Sequence, residues 1–146
     1  MRERNGVMKK KVHVVGAVIF NESGEIFCAQ RSKKMTLAHY WEFPGGKIEA
    51  GETKEQALRR EIKEELTCEI EVYEQIDDTT YAYDTFIVRL ETFRAKVIQG
   101  ELVNKEHAAI KWLKPQDLCQ LNWAPADIPA VEKIQQLYGE PHGTTN

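Results

Sequence analysis

Cysteine is scarce in this 146-residue sequence: Cys28, Cys68 and Cys119 are odd in number, widely spaced and form no C-x-x-C pair. That argues against a disulfide framework or a cysteine-based zinc site and leaves each as a small apolar side chain. No apolar run approaches the roughly 18 residues a membrane helix needs, so a membrane partner is not expected. Charge of one sign is lacking too. A formal net charge of -3 and an isoelectric point near 5.8 supply no basic field for a nucleic-acid polymer. The stretch from Met1 to Lys11 is basic but has no apolar segment before a cleavage site, which predicts no secretory signal and a cytoplasmic location. Residues 1–10 and 139–146 are expected to be flexible ends around one domain at 11–138, with Met8 as a possible second start.

What is present reads as an α/β domain with a mixed sheet. Strands are predicted over 12–20 and 25–31, separated by the turn Asn21 to Gly24, and over 108–113. Segments 69–81 and 85–98 read as a long hairpin turning near Ala82-Tyr83-Asp84. Thr53 and Gln56 have capping-box spacing, so a helix is predicted from Lys54 to Leu66, with Leu58, Ile62 and Leu66 as its buried stripe. A second helix is expected to start at Asp127 as cap, with Pro129 in its first turn, and to end at Gly139.

The first helix carries an unusual charge pattern. Glu61, Glu64 and Glu65 stand at i, i+3 and i+4, on one face and in its last turns. There the helix dipole disfavours anions, and like charges so spaced repel by roughly 0.2–0.5 kcal/mol. An ordinary solvated face would place Lys or Arg there. A hard divalent cation reverses both penalties, because it takes oxygen ligands and bridges to phosphates.

The spacing Gly46, Glu52, Arg60-Glu61-Ile62, Glu64-Glu65 resembles the Nudix box, with Thr67 where that family has glycine and Cys68 where it prefers an aliphatic residue. The resemblance extends over roughly 12–137 and implies an α/β/α sandwich hydrolysing a nucleoside diphosphate linked to a further group. It implies Mg²⁺, or Mn²⁺, held by Glu61 and Glu65, by Glu64 directly or through water, and by the Gly45 carbonyl. Arg60 would orient these acids with Glu52 as partner, since its guanidinium fork can engage two carboxylates. Glu106, six residues before Trp112, resembles the metal-binding glutamate of MutT-type members, which is also a candidate base; Glu101 and His107 compete for that role. Threonine at 67 would carry the cost of a left-handed cap, with a consequence for stability rather than catalysis.

Three further stretches, Ala29-Gln30-Arg31, Trp41 to Lys47 and Ala124 to Pro129, are similar to the MutT group of nucleoside triphosphate pyrophosphohydrolases. That similarity implies a phosphate contact at Arg31 and base contacts at Phe43 and Asp127, with Trp123 and Tyr81 as further stacking candidates. Asp127 replaces the asparagine of 8-oxo-dGTP-hydrolysing members, and its surroundings also resemble the CTP pyrophosphohydrolase branch. An ionised aspartate only accepts hydrogen bonds, which suits the cytosine amine; a protonated one both donates and accepts. The alternatives are a nucleotide-sugar or dinucleoside pyrophosphatase, or a non-catalytic nucleotide sensor, which retention of all four box glutamates disfavours. The partner implied is a small-molecule nucleotide, and both a monomer and a homodimer are compatible with the sequence.

Overall fold

A computed structural model describes residues 9–139; of the expected flexible ends at 1–10 and 139–146, residues 1–8, Met8 included, and 140–146 lie outside the described residues. In chain order the elements are β1 (Lys10–Ile19), β2 (Ile26–Gln30), β3 (Trp41–Glu42), β4 (Gly45–Lys47), α1 (Lys54–Leu66), β5 (Glu69–Ala82), β6 (Phe86–Gln99), β7 (Ala109–Leu113) and α2 (Ile128–Tyr138). Short 3₁₀ turns at Pro115–Gln120 and Pro125–Asp127 lead into α2.

The centre of the fold is β1, whose residues Val15 to Ile19 are all buried. A continuous apolar run is what a strand covered on both faces requires. It pairs parallel with β6 and antiparallel with β4, and β5 completes a mixed sheet ordered β4-β1-β6-β5. A second, antiparallel sheet is ordered β3-β2-β7.

Alternation along β1 and β2 divides the core in two. Val15, Ala17, Ile19, Phe27 and Ala29 pack with Leu58, Ile62 and Leu66 of α1. Val18, Ile26 and Cys28 turn the other way, toward Ala130, Val131 and Ile134 of α2. One helix therefore covers each face, giving the α/β/α sandwich. Each fully buried Leu or Ile contributes roughly 1.5–3 kcal/mol, so both helices are held chiefly by these stripes.

The differences from the sequence reading have physical causes. Strand β1 reaches back to Lys10 because Lys10 and Lys11 align with Phe86 and Ile87 of β6, while the Lys9 ammonium donates to the Tyr83 carbonyl at 2.8 Å. The two-residue β3 and three-residue β4 were not expected, since Pro44 and two glycines mask them. No helix among the described residues is long and apolar enough to cross a membrane.

Candidate active site

The two sheets and the end of α1 enclose a cleft of about 600 Å³. Gly45, Gly46, Glu65 and Glu106 line its acidic end, Arg31, Glu42 and His107 its middle, and Phe43 and Asp127 the far end. Glu101 and Tyr81 do not line it, and neither does Trp123.

The capping box fixes α1 and thereby the acids. Thr53 Oγ1 accepts from the Gln56 amide at 3.1 Å, and the Gln56 side chain accepts from the Thr53 amide at 2.9 Å. Two turns on, Arg60 spreads its guanidinium over four partners. Its Nε and one Nη donate to the two oxygens of Glu52 at 2.6 and 3.0 Å, and the latter Nη also reaches the Lys47 carbonyl. The other Nη donates to Glu61 at 3.0 Å and to Glu64 at 3.4 Å. The Arg60 contact, followed by the Glu49 amide, holds the Glu52 carboxyl down at about 2. Glu52 is thus a fixed anion that locks the arginine in place.

Glu65 has the opposite environment. Its Oε1 is buried and has no hydrogen-bond partner. Burial first, then the adjacent Glu61 carboxyl and the charges of Glu42 and Glu106, push Glu65 up to about 9. Glu64 diverges from this pair, its side chain 60% exposed beside Arg60. Among the described residues, no three His, Cys, Asp or Glu side chains already form a gathered ligand set. The pair Glu61 and Glu65 is brought together, and Glu106 faces it from the loop before β7.

The glycines beside this pair are required by space. A Cβ on Gly46 would lie 2.4 Å from the Glu61 carboxyl carbon, so only glycine leaves room for that carboxylate. Gly45, at φ +155°, would put a Cβ 1.9 Å from the Val15 carbonyl oxygen, inside the β1–β4 pairing.

At the far end Asp127 departs from the cap expected of it. It sits at the N-cap position of α2 with no side-chain capping bond. The 3₁₀ turn at Pro125–Asp127 runs straight into the helix and Pro129 has no amide, so fewer donors need a cap. Asp127 instead accepts from the Phe43 amide at 3.1 Å. Burial, and next the Glu42 charge, push its carboxyl well above the usual range. Phe43 packs on Trp123 with ring centroids 4.7 Å apart, and the Trp123 N–H donates to the Leu118 carbonyl. Trp123 is therefore a core residue backing Phe43, not a stacking surface for a base.

Arg31 is fully engaged: it donates to the Glu42 carboxylate at 2.7 Å, to the Thr36 carbonyl, and to the Thr36 hydroxyl at 3.1 Å. The other Glu42 oxygen pairs with the His107 imidazole at 2.9 Å. Sequence reasoning passed over Glu42 and over Tyr83, whose hydroxyl accepts from the Ala126 amide at 3.0 Å and so fixes the turn before Asp127. Glu42 lay inside a stretch already singled out, but its partners are 11 and 65 residues away and left no local signal.

The NUDIX domain model matches residues 10–134. The chain belongs to the Nudix hydrolase family. It is 38% identical to the CTP pyrophosphohydrolase of Escherichia coli over 128 residues, 88% of this chain and 94% of that protein. It is 32% identical to the 8-oxo-dGTP diphosphatase of Escherichia coli, over 88% of this chain and 99% of that one. The solution structure of MutT, a Nudix hydrolase from methicillin-resistant Staphylococcus aureus, superimposes with a TM-score of 0.73 at 49% identity, covering 89% and 99% of the two chains. Nudix hydrolases generally need divalent cations, and a buried carboxylate oxygen with no partner beside a second carboxylate is a fitting donor set for one.

Proposed function

We propose that this Nudix hydrolase cleaves nucleoside triphosphates to a nucleoside monophosphate and pyrophosphate, with Mg²⁺ or Mn²⁺ as cofactor. The observation that carries the reading is the buried Glu65 carboxyl that lines the cleft against Glu61, its Oε1 without a hydrogen-bond partner. The relatives named for CTP and for 8-oxo-dGTP support the triphosphate class.

In this reading Glu61 and Glu65, the Gly45 carbonyl and Glu106 hold the cation, with Glu64 contributing from the exposed side through water. The cation, when bound, offsets the negative charge of the polyphosphate and lets a water approach phosphorus. The chain's own part is orientation. Arg60, clamped by Glu52, keeps Glu61 directed at the Gly46 cradle. Arg31 exchanges a Thr36 contact for a phosphate oxygen. Phe43 supports the nucleoside, and Asp127 reads its base.

An aspartate pushed toward its neutral form donates and accepts, as an asparagine amide does. Asp127 then suits a base edge that sets a donor beside an acceptor, which both cytosine and an oxidised guanine present. The test is product analysis on CTP, dCTP, 8-oxo-dGTP, 2-hydroxy-dATP and ADP-ribose, with Mg²⁺ and with EDTA. Pyrophosphate release from the triphosphates, abolished by EDTA, is the expected result; turnover of ADP-ribose alone, or of nothing, would sink the reading. Asp127→Asn, which still donates and accepts, should keep the ranking among bases, whereas Asp127→Leu should change that ranking more than it changes kcat on a poor substrate. An unchanged ranking of kcat/KM in Asp127→Leu would remove Asp127 from base recognition.

A further inference from the structure

The nine residues from Gly100 to Ala108, between β6 and β7, form no helix or strand, yet they carry Glu106 to the cleft. Connecting loops of this kind usually move more than the elements they join. This one is fastened at both ends and in the middle. Near its start, the Thr67 hydroxyl at the end of α1 donates to the Glu101 carbonyl at 2.9 Å. The Val103 amide donates to the Leu66 carbonyl at 2.9 Å, and Leu102 packs into the core on the α1 side. At its end, the Ala108 amide donates to the Gln30 carbonyl at 2.9 Å.

The turn that holds Glu106 is closed by one side chain. Asn104 Oδ1 accepts from the His107 amide at 3.0 Å, and Asn104 Nδ2 donates to the His107 carbonyl at 2.9 Å. The amide side chain thereby stands in for a strand partner to His107, whose ring pairs with Glu42. Glu106 lies between the two clamped residues, exposed to the cleft, with no hydrogen bond of its own needed to fix its backbone. Asparagine suits this task because its short planar amide supplies a donor and an acceptor side by side at any pH.

We infer that Asn104 is a positioning residue for Glu106: its paired bonds to the His107 backbone hold Glu106 opposite Glu65, with Thr67 fastening the base of the same loop to the box helix. The inference rests on the reading that Glu106 belongs to the site. A positional error of about 1 Å in such a group can cost on the order of a hundredfold in rate, which sets the scale of the effect.

The test compares Asn104→Ala, Asn104→Ser, Glu106→Gln and the Asn104→Ala/Glu106→Gln double variant of the full chain. Two readouts are needed: amide hydrogen exchange at His107 without metal, and kcat and KM on the best triphosphate. Asn104→Ala should speed exchange at His107 and lower kcat roughly ten- to a hundredfold with KM for the nucleotide little changed. Asn104→Ser, whose hydroxyl can still accept from the His107 amide, should recover part of both. In the Glu106→Gln background, Asn104→Ala should cost nothing further. Unchanged exchange or wild-type kcat in Asn104→Ala overturns the inference, as does a loss that adds in full to that of Glu106→Gln. Wild-type kcat in Glu106→Gln instead marks failure of the site reading itself, while the exchange result still reports on the clamp.

Discussion

Glu65 is a residue whose surroundings oppose its own charge. Burial and the neighbouring carboxylates hold it near 9, far above its ordinary 4.5. A carboxyl whose native value is raised contributes stability that is complete below the ordinary value and is lost as pH rises through the native one. Metal-free protein should therefore lose Tm between about pH 5 and 9 relative to Glu65→Gln, and the two should converge below pH 4.5. Thermal melts in EDTA across that range check this; a Glu65→Gln variant less stable than wild type at pH 8 would contradict it. The same variant should lower kcat by several orders of magnitude. The box acids were legible in the sequence because their spacing is local. Glu42 and Tyr83 were not, since each acquires its role only when a distant backbone or side chain arrives; Asn104 was not, since its bonds to His107 three residues on belong to a loop with no helix or strand period. Asp127 was legible as a position but misread as a cap, because the 3₁₀ turn ahead of α2 has no sequence signature separate from the helix itself.

At the scale of the element, α1 was readable from end to end, since capping box, apolar stripe and terminus are all written locally. Thr53→Ala should cost about 1 kcal/mol, measured by chemical denaturation. The helix ends at Thr67 in the left-handed region, φ 63°, where threonine is disfavoured by about 1–2 kcal/mol. Its hydroxyl bond to Glu101 returns about 0.5–1.5 kcal/mol. Thr67→Gly should thus change stability by no more than about 1.5 kcal/mol, while amide exchange across 101–103 rises. A large loss of stability would mean that the hydroxyl contributes more than one ordinary hydrogen bond. The threonine, expected to matter for stability alone, also reaches the loop that carries Glu106. Gly139 illustrates a different limit. It ends α2 as expected, but with extended backbone, and is needed because a Cβ would lie 2.4 Å from the Gln135 carbonyl oxygen. Strands β3 and β4 were invisible because two or three residues around Pro44 carry no period; their pairing is set by β2 and β1.

Over the whole molecule, the sandwich follows from β1 and β2 being apolar on both faces, with one helix stripe available for each. An ion cluster around the buried Glu91 ties the start of α1 to the mixed sheet. Glu91 of β6, 1% exposed, pairs with the His13 ring at 2.6 Å and accepts from Lys54 and Gln75 at 2.8 Å each. Burial pushes its carboxyl up, but these partners more than reverse it, leaving it below the ordinary range. Its stabilisation is therefore present above the ordinary value and lost as pH falls through the native one. Glu91→Gln should cost roughly 1–3 kcal/mol at pH 7 and progressively less as pH falls below the ordinary carboxylate range, read by denaturant titration. A loss that does not change with pH would remove the charge from the explanation.

The central claim is that the Glu65 pocket is built for a divalent cation, and titration calorimetry tests it directly. Mn²⁺ would be titrated into wild type and Glu65→Gln at pH 7.5, in two buffers of different ionisation enthalpy. A carboxyl held near 9 must give up its proton when it becomes a ligand. Wild type should bind with release of about one proton, and Glu65→Gln should bind more weakly with none. Equal affinity and equal proton release in the two proteins would contradict the account.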